Sequence, residues 1–236
     1  MQFFTIDAKS RLTRQQVSAV INENDNLYLE KITDHLIQVE EWLKQYLARP
    51  HVNLGRKGPV CPFVPAALNK RKALASYILY DAKTQDSDVE RALLGYGDYF
   101  RSLPESHLNT IVIVMVHKGE GEALGAGIVE RVQRTLKSAF MSYDTMIGQF
   151  YSQCPITGLH NDAFYPFDSK LPMIGIRHIM PQDLVFVSDD SEHTKIYLEK
   201  HNIFNREQLM QVLGSVGMAR NENVLRHVDA IYTQTR

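Results

Sequence analysis

The segment Thr110–His117, with the sequence TIVIVMVH, constrains the fold more than any other part of the chain. It is a continuous apolar run, rich in β-branched residues, between one threonine and one histidine. Such a run is typical of a strand inside a sheet whose two faces are both covered. We therefore predict a central strand at Thr110–His117, with helices packed on both sides of it.

Apolar periodicity and capping residues predict the other elements. A short helix is expected at Arg11–Asn22, with Thr13 as its N-cap, and a long amphipathic helix at Leu27–Ala48, which ends before Pro50. Further helices are expected at Ala66–Leu79, Asp86–Ser102, Ile128–Tyr143, Thr194–His201, Arg206–Leu213 and Asn221–Tyr232. Further strands are expected at Met146–Tyr151, Met173–His178 and Leu184–Val187.

This order of elements predicts an α/β (or α+β) fold with a single domain. We expect a central mixed sheet with flanking helices in an α/β core of residues 51–236. Residues 1–50 are expected to form an N-terminal helical extension. The length of 236 residues suits one domain of this kind.

Composition excludes several classes of protein. Hydrophobic residues make up 44% and charged residues 22% of the chain, as in ordinary globular domains. The net charge of −1 provides no basic field for nucleic acid or an anionic membrane, and no apolar run has the length of a membrane span. With only two cysteines, we expect a reducing, cytoplasmic environment. The apolar stripe of the Leu27–Ala48 helix leaves a homodimer possible.

The first segment that could carry chemistry is Gly55–Pro65, which contains the sequence GPVCPF around Cys61. Prolines on both sides of Cys61 restrict the backbone, and Arg56 and Lys57 place two cations nearby. Cys61 could be a small core residue, a catalytic or ligating thiolate, or part of a pocket wall. All three interpretations remain open at this point.

The second segment is Gly148–Val187, which combines histidines, an arginine, glycines and aromatic residues. His160 follows Gly158 in a predicted loop. Strand alternation places Ile174, Ile176 and His178 on one face, and Arg177 on the other. Either histidine could be a ligand or a base, or a half-buried side chain bonded to a backbone carbonyl. The chain has no HExxH, CxxC, Walker or GxSxG motif.

The two segments carry a family resemblance. The sequences GPVCPF and GLHN…FYPF…LPMIGIRHIM, followed by DLVFV, resemble an uncharacterised bacterial domain family found among natural-product genes. This likeness covers Asn53–Val187. The layout is also similar, more distantly, to the YqcI/YcgG-like family, through Gly158-Leu159-His160. The order Cys61-Pro62 reverses that family's Pro-Cys element, and Pro172 and Arg177 match it loosely.

The second resemblance implies a haem-dependent oxygenase that oxidises the nitrogen of an amino acid or small amine in a biosynthetic pathway. It implies haem b with His160 as the first choice of axial ligand to the iron and His178 as the second. Aromatic side chains would pack on the porphyrin, namely Phe150, Tyr151, Phe164, Tyr165 and Phe167. Arg56 and Arg177 would pair with haem propionates or a substrate carboxylate, and Asp162 or Asp183 would hold the amine.

Two other functions compete with the oxygenase. The chain could be a non-catalytic protein that binds a small molecule, a peptide or a protein partner. It could also be a thiol-based redox enzyme with Cys61 as the catalytic residue. Cys154 would resolve the oxidised thiol only if the two Cα atoms came within about 6 Å of each other.

Overall fold

A five-stranded mixed sheet forms the centre of the protein, as the sequence predicts. The structure is a computed structural model that describes residues 1–119 and 123–233. The strands are β1 (Phe4–Ile6), β2 (Ala73–Tyr80), β3 (Thr110–His117), β4 (Thr145–Phe150) and β5 (Met173–His178). Their order across the sheet is β1-β2-β3-β5-β4. Strands β2 and β3 are parallel, and every other neighbouring pair is antiparallel.

Strand β3 is covered on both faces, which confirms its prediction as the central strand. Ile111 and Ile113 pack in a cluster with α4 (Asp86–Ser102) and α5 (Ala123–Ser142). Val112 and Val114 pack on the opposite face with α2 (Leu29–Glu41), in what we call the first apolar cluster. Each face of β3 therefore packs against its own apolar cluster, which explains why the run is apolar without alternation.

Two short helices, α1 (Arg14–Ser18) and α3 (Val64–Asn69), complete the same face as α2. Thr13 caps α1, where its hydroxyl accepts from Gln16 N and the Gln16 side chain accepts from Thr13 N. This reciprocal pair is a capping box, and the predicted N-cap is confirmed. Helix α2 continues into a π-helical turn at Trp42–Leu47, which the sequence pattern did not distinguish from α-helix.

The chain closes with three helices, α6 (Ser191–Lys200), α7 (Arg206–Ser215) and α8 (Glu222–Thr233), as expected. They form a third apolar cluster around Tyr197, Leu209 and Val228. Met146 of β4 and Ile179, which follows β5, belong to the same cluster. The C-terminal helices are thereby attached to the β4–β5 end of the sheet.

The predicted helix at Ala66–Leu79 is wrong in its second half. Helix α3 ends at Asn69, and β2 begins at Ala73. The residues of β2 pair in parallel with those of β3, from Ala73↔Thr110 to Tyr80↔His117. The alanines and leucines of β2 favour a helix locally, and burial on both faces removes the alternation that marks a strand. Tertiary pairing with β3 decides the conformation.

The predicted strand at Leu184–Val187 is also wrong, because Pro181–Phe186 forms a 3-10 helix. Pro181 lies in its first turn, where a missing N–H donor costs nothing. The side chain of Asp183 accepts from the backbone N–H of Met180, 2.8 Å away. This local bond favours a helical start over an extended strand.

The first 50 residues, predicted as a helical extension, supply both a strand and part of the core. Strand β1 pairs with β2 at one edge of the sheet, and Phe4 and Ile6 are buried. Ile32, Leu36 and Val39 of α2 are fully buried in the first cluster. Within the described residues, no helix combines the length and apolar character needed to cross a membrane.

Truncation of the central strand should lower stability strongly. Ile113 is fully buried, and we expect Ile113→Ala to lower the free energy of unfolding by about 3 kcal/mol, because it leaves a cavity in a packed core. Urea unfolding measures the change. Leu27→Ala is the control, since Leu27 is 84% exposed and should change stability by less than about 0.5 kcal/mol. Equal losses in the two variants would contradict the assignment of β3 as the core.

Candidate functional site

A cavity of about 500 Å³ lies along β4, the last strand of the sheet. Five consecutive residues, Met146–Phe150, line it. The π-helical turn at Trp42–Leu47 lies on one side, and α5 contributes Gln133 and Lys137. The 3-10 helix and the start of α6 complete the wall. We call this space the edge cavity, and its volume suits a small organic ligand.

Aromatic rings form a connected wall in the edge cavity. Trp42 meets Phe150 edge to face, with ring centroids 4.8 Å apart. Phe150 stacks on Phe167 at 5.4 Å, and Phe167 meets Phe186 at 5.5 Å. All four rings line the cavity. They provide a largely apolar surface against which the body of a ligand can be buried.

Two glycines leave room for this wall. Gly148 and Gly175 face each other across β4 and β5, and both line the cavity. A Cβ atom at Gly175 would lie 3.1 Å from Cε2 of Phe150, which is tighter than an ordinary contact. At Gly148 the same distance would be 3.8 Å. Gly175 therefore allows the Phe150 ring to lie close to the sheet, whereas a Cβ atom at Gly148 would be in ordinary van der Waals contact with the same ring.

Three buried polar atoms on side chains that line the cavity have no hydrogen-bond partner within residues 1–119 and 123–233. They are Nε1 of Trp42, Oε1 of Gln149 and Nδ1 of His193. One is a donor, one is an acceptor, and the imidazole nitrogen can be either. Buried polar atoms are nearly always paired in folded proteins. Similar atoms occur outside the cavity, on His117, Gln182 and His201. Of the three in the cavity, Nδ1 of His193 lies 3.6 Å from Oδ1 of Asp190, which is too far for a hydrogen bond. Each of the three is a position where a polar ligand can supply the partner.

The charges around the cavity are only partly compensated. Arg134 pairs with Glu130 at 3.0 Å. Among the residues that the structure describes, Lys137 makes no ion pair, and its Nζ donates to the carbonyl of Phe186 at 2.5 Å. Burial lowers the pKa of Lys137, against the opposing effect of the carboxylates of Asp189 and Asp190. Both aspartates are exposed and line the cavity.

Cys61 lines the edge cavity, so the predicted GPVCPF segment does reach it. Its backbone N–H donates to the carbonyl of Leu47 at 2.9 Å, and that of Val60 donates to Arg49 at 2.8 Å. These bonds attach the loop to the end of the π-helical turn. Cys61 is half-buried beside the first apolar cluster, whereas Cys154 is buried in the cluster on the opposite face of the sheet. Both thiols are free.

Arg177 lines the cavity as part of an ion pair with Asp183. Its two terminal nitrogens lie 2.7 and 2.5 Å from the two carboxylate oxygens, and it also donates to the carbonyl of His178. Burial opposes the charge of Arg177, but the neighbouring carboxylate outweighs it and raises the pKa. Asp183 is 1% exposed. The pair joins β5 to the 3-10 helix, and each partner already satisfies the other's charge.

His178 lies on the other face of the sheet and does not line the edge cavity. The predicted alternation is confirmed, since Ile174 and Ile176 pack in the cluster with α4 and α5. The His178 ring is 4.9 Å from that of Phe100 in α4. Burial and the nearby Lys200 cation lower its pKa. These contacts agree with a half-buried histidine at the end of a strand.

His160 also lies outside the edge cavity, although its loop touches the first predicted segment. A Cβ atom at Gly55 would lie 2.4 Å from the carbonyl oxygen of His160, so only glycine fits there, and its φ of +76° also favours glycine. Asn161 donates to the carbonyl of Asn53 at 2.7 Å. His160 Nδ1 accepts from the amide of Asn221 at 2.9 Å. Burial and the Arg56 cation lower the pKa of His160.

The remaining predicted residues divide between the edge cavity and other surroundings. Phe150 lines the cavity. Arg56 folds over its own loop and donates to the carbonyls of Lys57 and Val60. Phe164 and Tyr165 line a separate groove. Asp162 is exposed and accepts from the side chain of Asn223.

Haem with His160 or His178 as its axial ligand does not fit the edge cavity, because both of these predicted ligands lie outside it. The metal-ligating side chains that do line it include the thiol of Cys61 and the imidazole of His193. The aromatic wall and the volume are of a kind that cofactor pockets share. The edge cavity therefore has the lining of a cofactor pocket, but it does not contain the histidines that were predicted to bind the iron.

Sequence reasoning did not identify Trp42, Lys137, Gln149 or His193 as site residues. They come from different elements, and a chain pattern cannot show that these elements meet. The π-helical turn that begins at Trp42 marks this site, because such turns often occur at functional sites. The turn is visible only in the structure.

Loss of the Asp183 charge should destabilise the wall of the cavity. We expect Asp183→Asn to lower the free energy of unfolding by about 3 kcal/mol, because Arg177 would keep a half-buried charge without a counter-ion. Urea unfolding measures this. The control is Arg134→Gln, which breaks an exposed pair and should cost less than about 1 kcal/mol. If the two substitutions cost the same, the pair does not hold β5 and the 3-10 helix together.

Comparison with known proteins gives a family and no activity. Residues 36–211, most of the chain, match a family described as Domain of unknown function (DUF6875). No curated protein and no solved structure matches the chain. The matched region includes the π-helical turn, the GPVCPF loop and the whole of β2 to β5. The protein is therefore a member of the DUF6875 family, an uncharacterised domain family.

Proposed function

We propose that this protein binds a small organic molecule in the edge cavity, with the apolar body of the ligand against the aromatic wall. The observation that carries the proposal is the group of buried, unpartnered polar atoms on Trp42, Gln149 and His193. A ligand that offers an acceptor to Trp42, a donor to Gln149 and a third polar group to His193 would satisfy them once these side chains rotate toward it. Cavities with apolar walls and a few convergent polar groups are the usual form of ligand sites.

The charges support an amine-bearing ligand, such as an amine or an amino acid. Asp189 and Asp190 are exposed carboxylates at the cavity, and each can attract an ammonium group. Lys137 supplies a cation without an ion pair among the described residues, and it can receive a carboxylate. The opposite charges lie on neighbouring parts of the wall, which complements a zwitterion. Cys61 would contact the bound molecule.

Three molecules with the same phenyl body test this proposal: phenethylamine, phenylalanine and 3-phenylpropionate. We expect the amine and the amino acid to bind more tightly than the acid, by about tenfold, because the acid offers no cation to Asp189 and Asp190. The measurements are the fluorescence of Trp42, the single tryptophan, and the alkylation rate of Cys61 by iodoacetamide. Bound ligand should slow alkylation of Cys61.

A matched pair of variants locates the binding. Gly148→Val directs a side chain into the space beside β4 and should abolish protection of Cys61, whereas Gly148→Ala adds only a Cβ in ordinary contact and should retain it. Buried Cys154 is an internal control for unfolding, since it should stay unmodified in every variant. If none of the three molecules changes either signal in the native protein, the edge cavity does not bind ligands of this class.

A haem-dependent oxygenase that acts on such an amine is the second candidate. The resemblance of the Gly158-Leu159-His160 segment supports it, as do the aromatic wall and the thiol of Cys61 inside the edge cavity. A cysteine thiolate is an established axial ligand of haem, and haem would supply oxygen activation. The chain's own residues would position the amine at Asp189 and Asp190 and exclude water through the four aromatic rings.

Haem titration followed by ultraviolet–visible spectroscopy tests the second candidate. A stoichiometric Soret band that shifts on reduction would support it. Three variants then identify the ligand: Cys61→Ser should alter the band if haem occupies the edge cavity, while His160→Ala or His178→Ala should alter it if the ligand is one of the predicted histidines. A protein that takes up no haem in direct titration would exclude the oxygenase.

A further inference from the structure

A second depression, of about 600 Å³, lies beside Trp42, which also lines the edge cavity. It runs between the end of α2 and the segment from Ala163 to Met173. Five aromatic side chains line it, namely Trp42, Tyr46, His51, Phe164 and Tyr165. We call it the aromatic groove. Phe164 and Tyr165, two residues of the FYPF segment, line the groove, whereas Phe167 of the same segment lines the edge cavity.

The rings of the aromatic groove form two walls. Trp42 and Tyr46 have centroids 6.3 Å apart and planes inclined by 31°. His51 stacks on Phe164 at 4.7 Å, with planes inclined by 24°. Tyr46 and His51 meet at 78°, with centroids 6.1 Å apart. Tyr46 and His51 therefore form a nearly perpendicular corner where the two pairs meet, and aromatic cages surround cations with rings set at angles to one another.

The charges of the groove favour a cation. Glu41 and Asp168 line it, and Lys170 is the opposing charge. Among the described residues neither carboxylate makes an ion pair, although Asp168 accepts from the backbone N–H of Gln153 at 2.8 Å. Burial and the charge of Asp168 raise the pKa of Tyr46 to about 12, which agrees with a carboxylate close to that ring.

We propose that the aromatic groove binds a small organic cation through an alkylated ammonium head group. Aromatic faces attract such a group through their negative electrostatic potential, and its methyl groups fit an apolar corner that would leave a primary ammonium poorly solvated. Asp168 and Glu41 add an attraction at the rim. Tyr165 and Asp168 are exposed, so the head group can enter from solvent. The inference does not depend on the function proposed for the edge cavity.

Choline and its neutral isostere 3,3-dimethyl-1-butanol are the test pair. They have the same shape and differ in charge, so a cation site should bind choline about tenfold more tightly. The fluorescence of Trp42, which lines the groove, reports the titration. Equal binding of the two molecules, or no response to choline, would overturn the proposal.

Charge variants of the groove give two opposite expectations. Asp168→Asn should weaken choline binding roughly threefold, since it removes an attractive charge but keeps the oxygen that accepts from Gln153. Lys170→Gln should strengthen it, because it removes the repelling charge. Both residues are exposed, so both variants should fold. An unchanged affinity in both would show that the rim charges do not act on the ligand.

The alkylation of Cys61 separates the groove from the edge cavity. Choline bound in the groove should leave the alkylation rate unchanged, and Gly148→Val should leave choline binding unchanged. Slower alkylation with choline would place the cation in the edge cavity and overturn the assignment to the groove. Tyr46→Leu removes one ring of the Trp42–Tyr46 pair. It should reduce the binding of choline more than the binding of the neutral isostere.

Discussion

Burial of β3 on both faces is the constraint on which the rest of the structure depends. Its alternate residues belong to two separate apolar clusters, so one layer of helices on each side is required to cover them. Strand β2 joins in parallel along its whole length, and β5 pairs antiparallel on the other side. Because β3 is apolar on both faces, neither face can be left to solvent, and the strand is stable only with both neighbouring strands and both helical layers in place.

The edge cavity exists because this layered order ends at β4. In the part of the chain that the structure describes, no strand pairs beyond β4, and α5, the π-helical turn and the 3-10 helix line the space beside it. The ion pair between Arg177 and Asp183 keeps the 3-10 helix against β5. A buried pair of this kind costs desolvation, and breaking it costs more. It therefore acts here as a structural support for the wall.

Trp42 connects the two candidate sites, since it lines both the edge cavity and the aromatic groove. Its position follows from the π-helical turn, which widens the helix where α2 meets the sheet edge. A ligand in one site would alter the surroundings of the same indole that forms part of the other. The two sites differ in character, because the edge cavity contains unpartnered polar atoms and the groove is a corner of rings with carboxylates at the rim.

The sequence determined the elements whose pattern is local. It predicted the central strand, the helix at Asp86–Ser102, the strand at Met173–His178 and the cap at Thr13, because periodicity and capping act within a few residues. It also identified the two segments that meet in space through Asn161 and Gly55. The family resemblance to an uncharacterised domain family is confirmed at that level.

Only the tertiary structure decided which side chains share a cavity. Ala73–Tyr80 became a strand through pairing with β3, against its local helical preference. His160 and His178, both prominent in the sequence, lie outside the edge cavity, while Lys137 and His193, which no motif marks, line it. The physical reason is that packing of the helices on the sheet edge brings together residues far apart in the chain, and no local pattern records that contact.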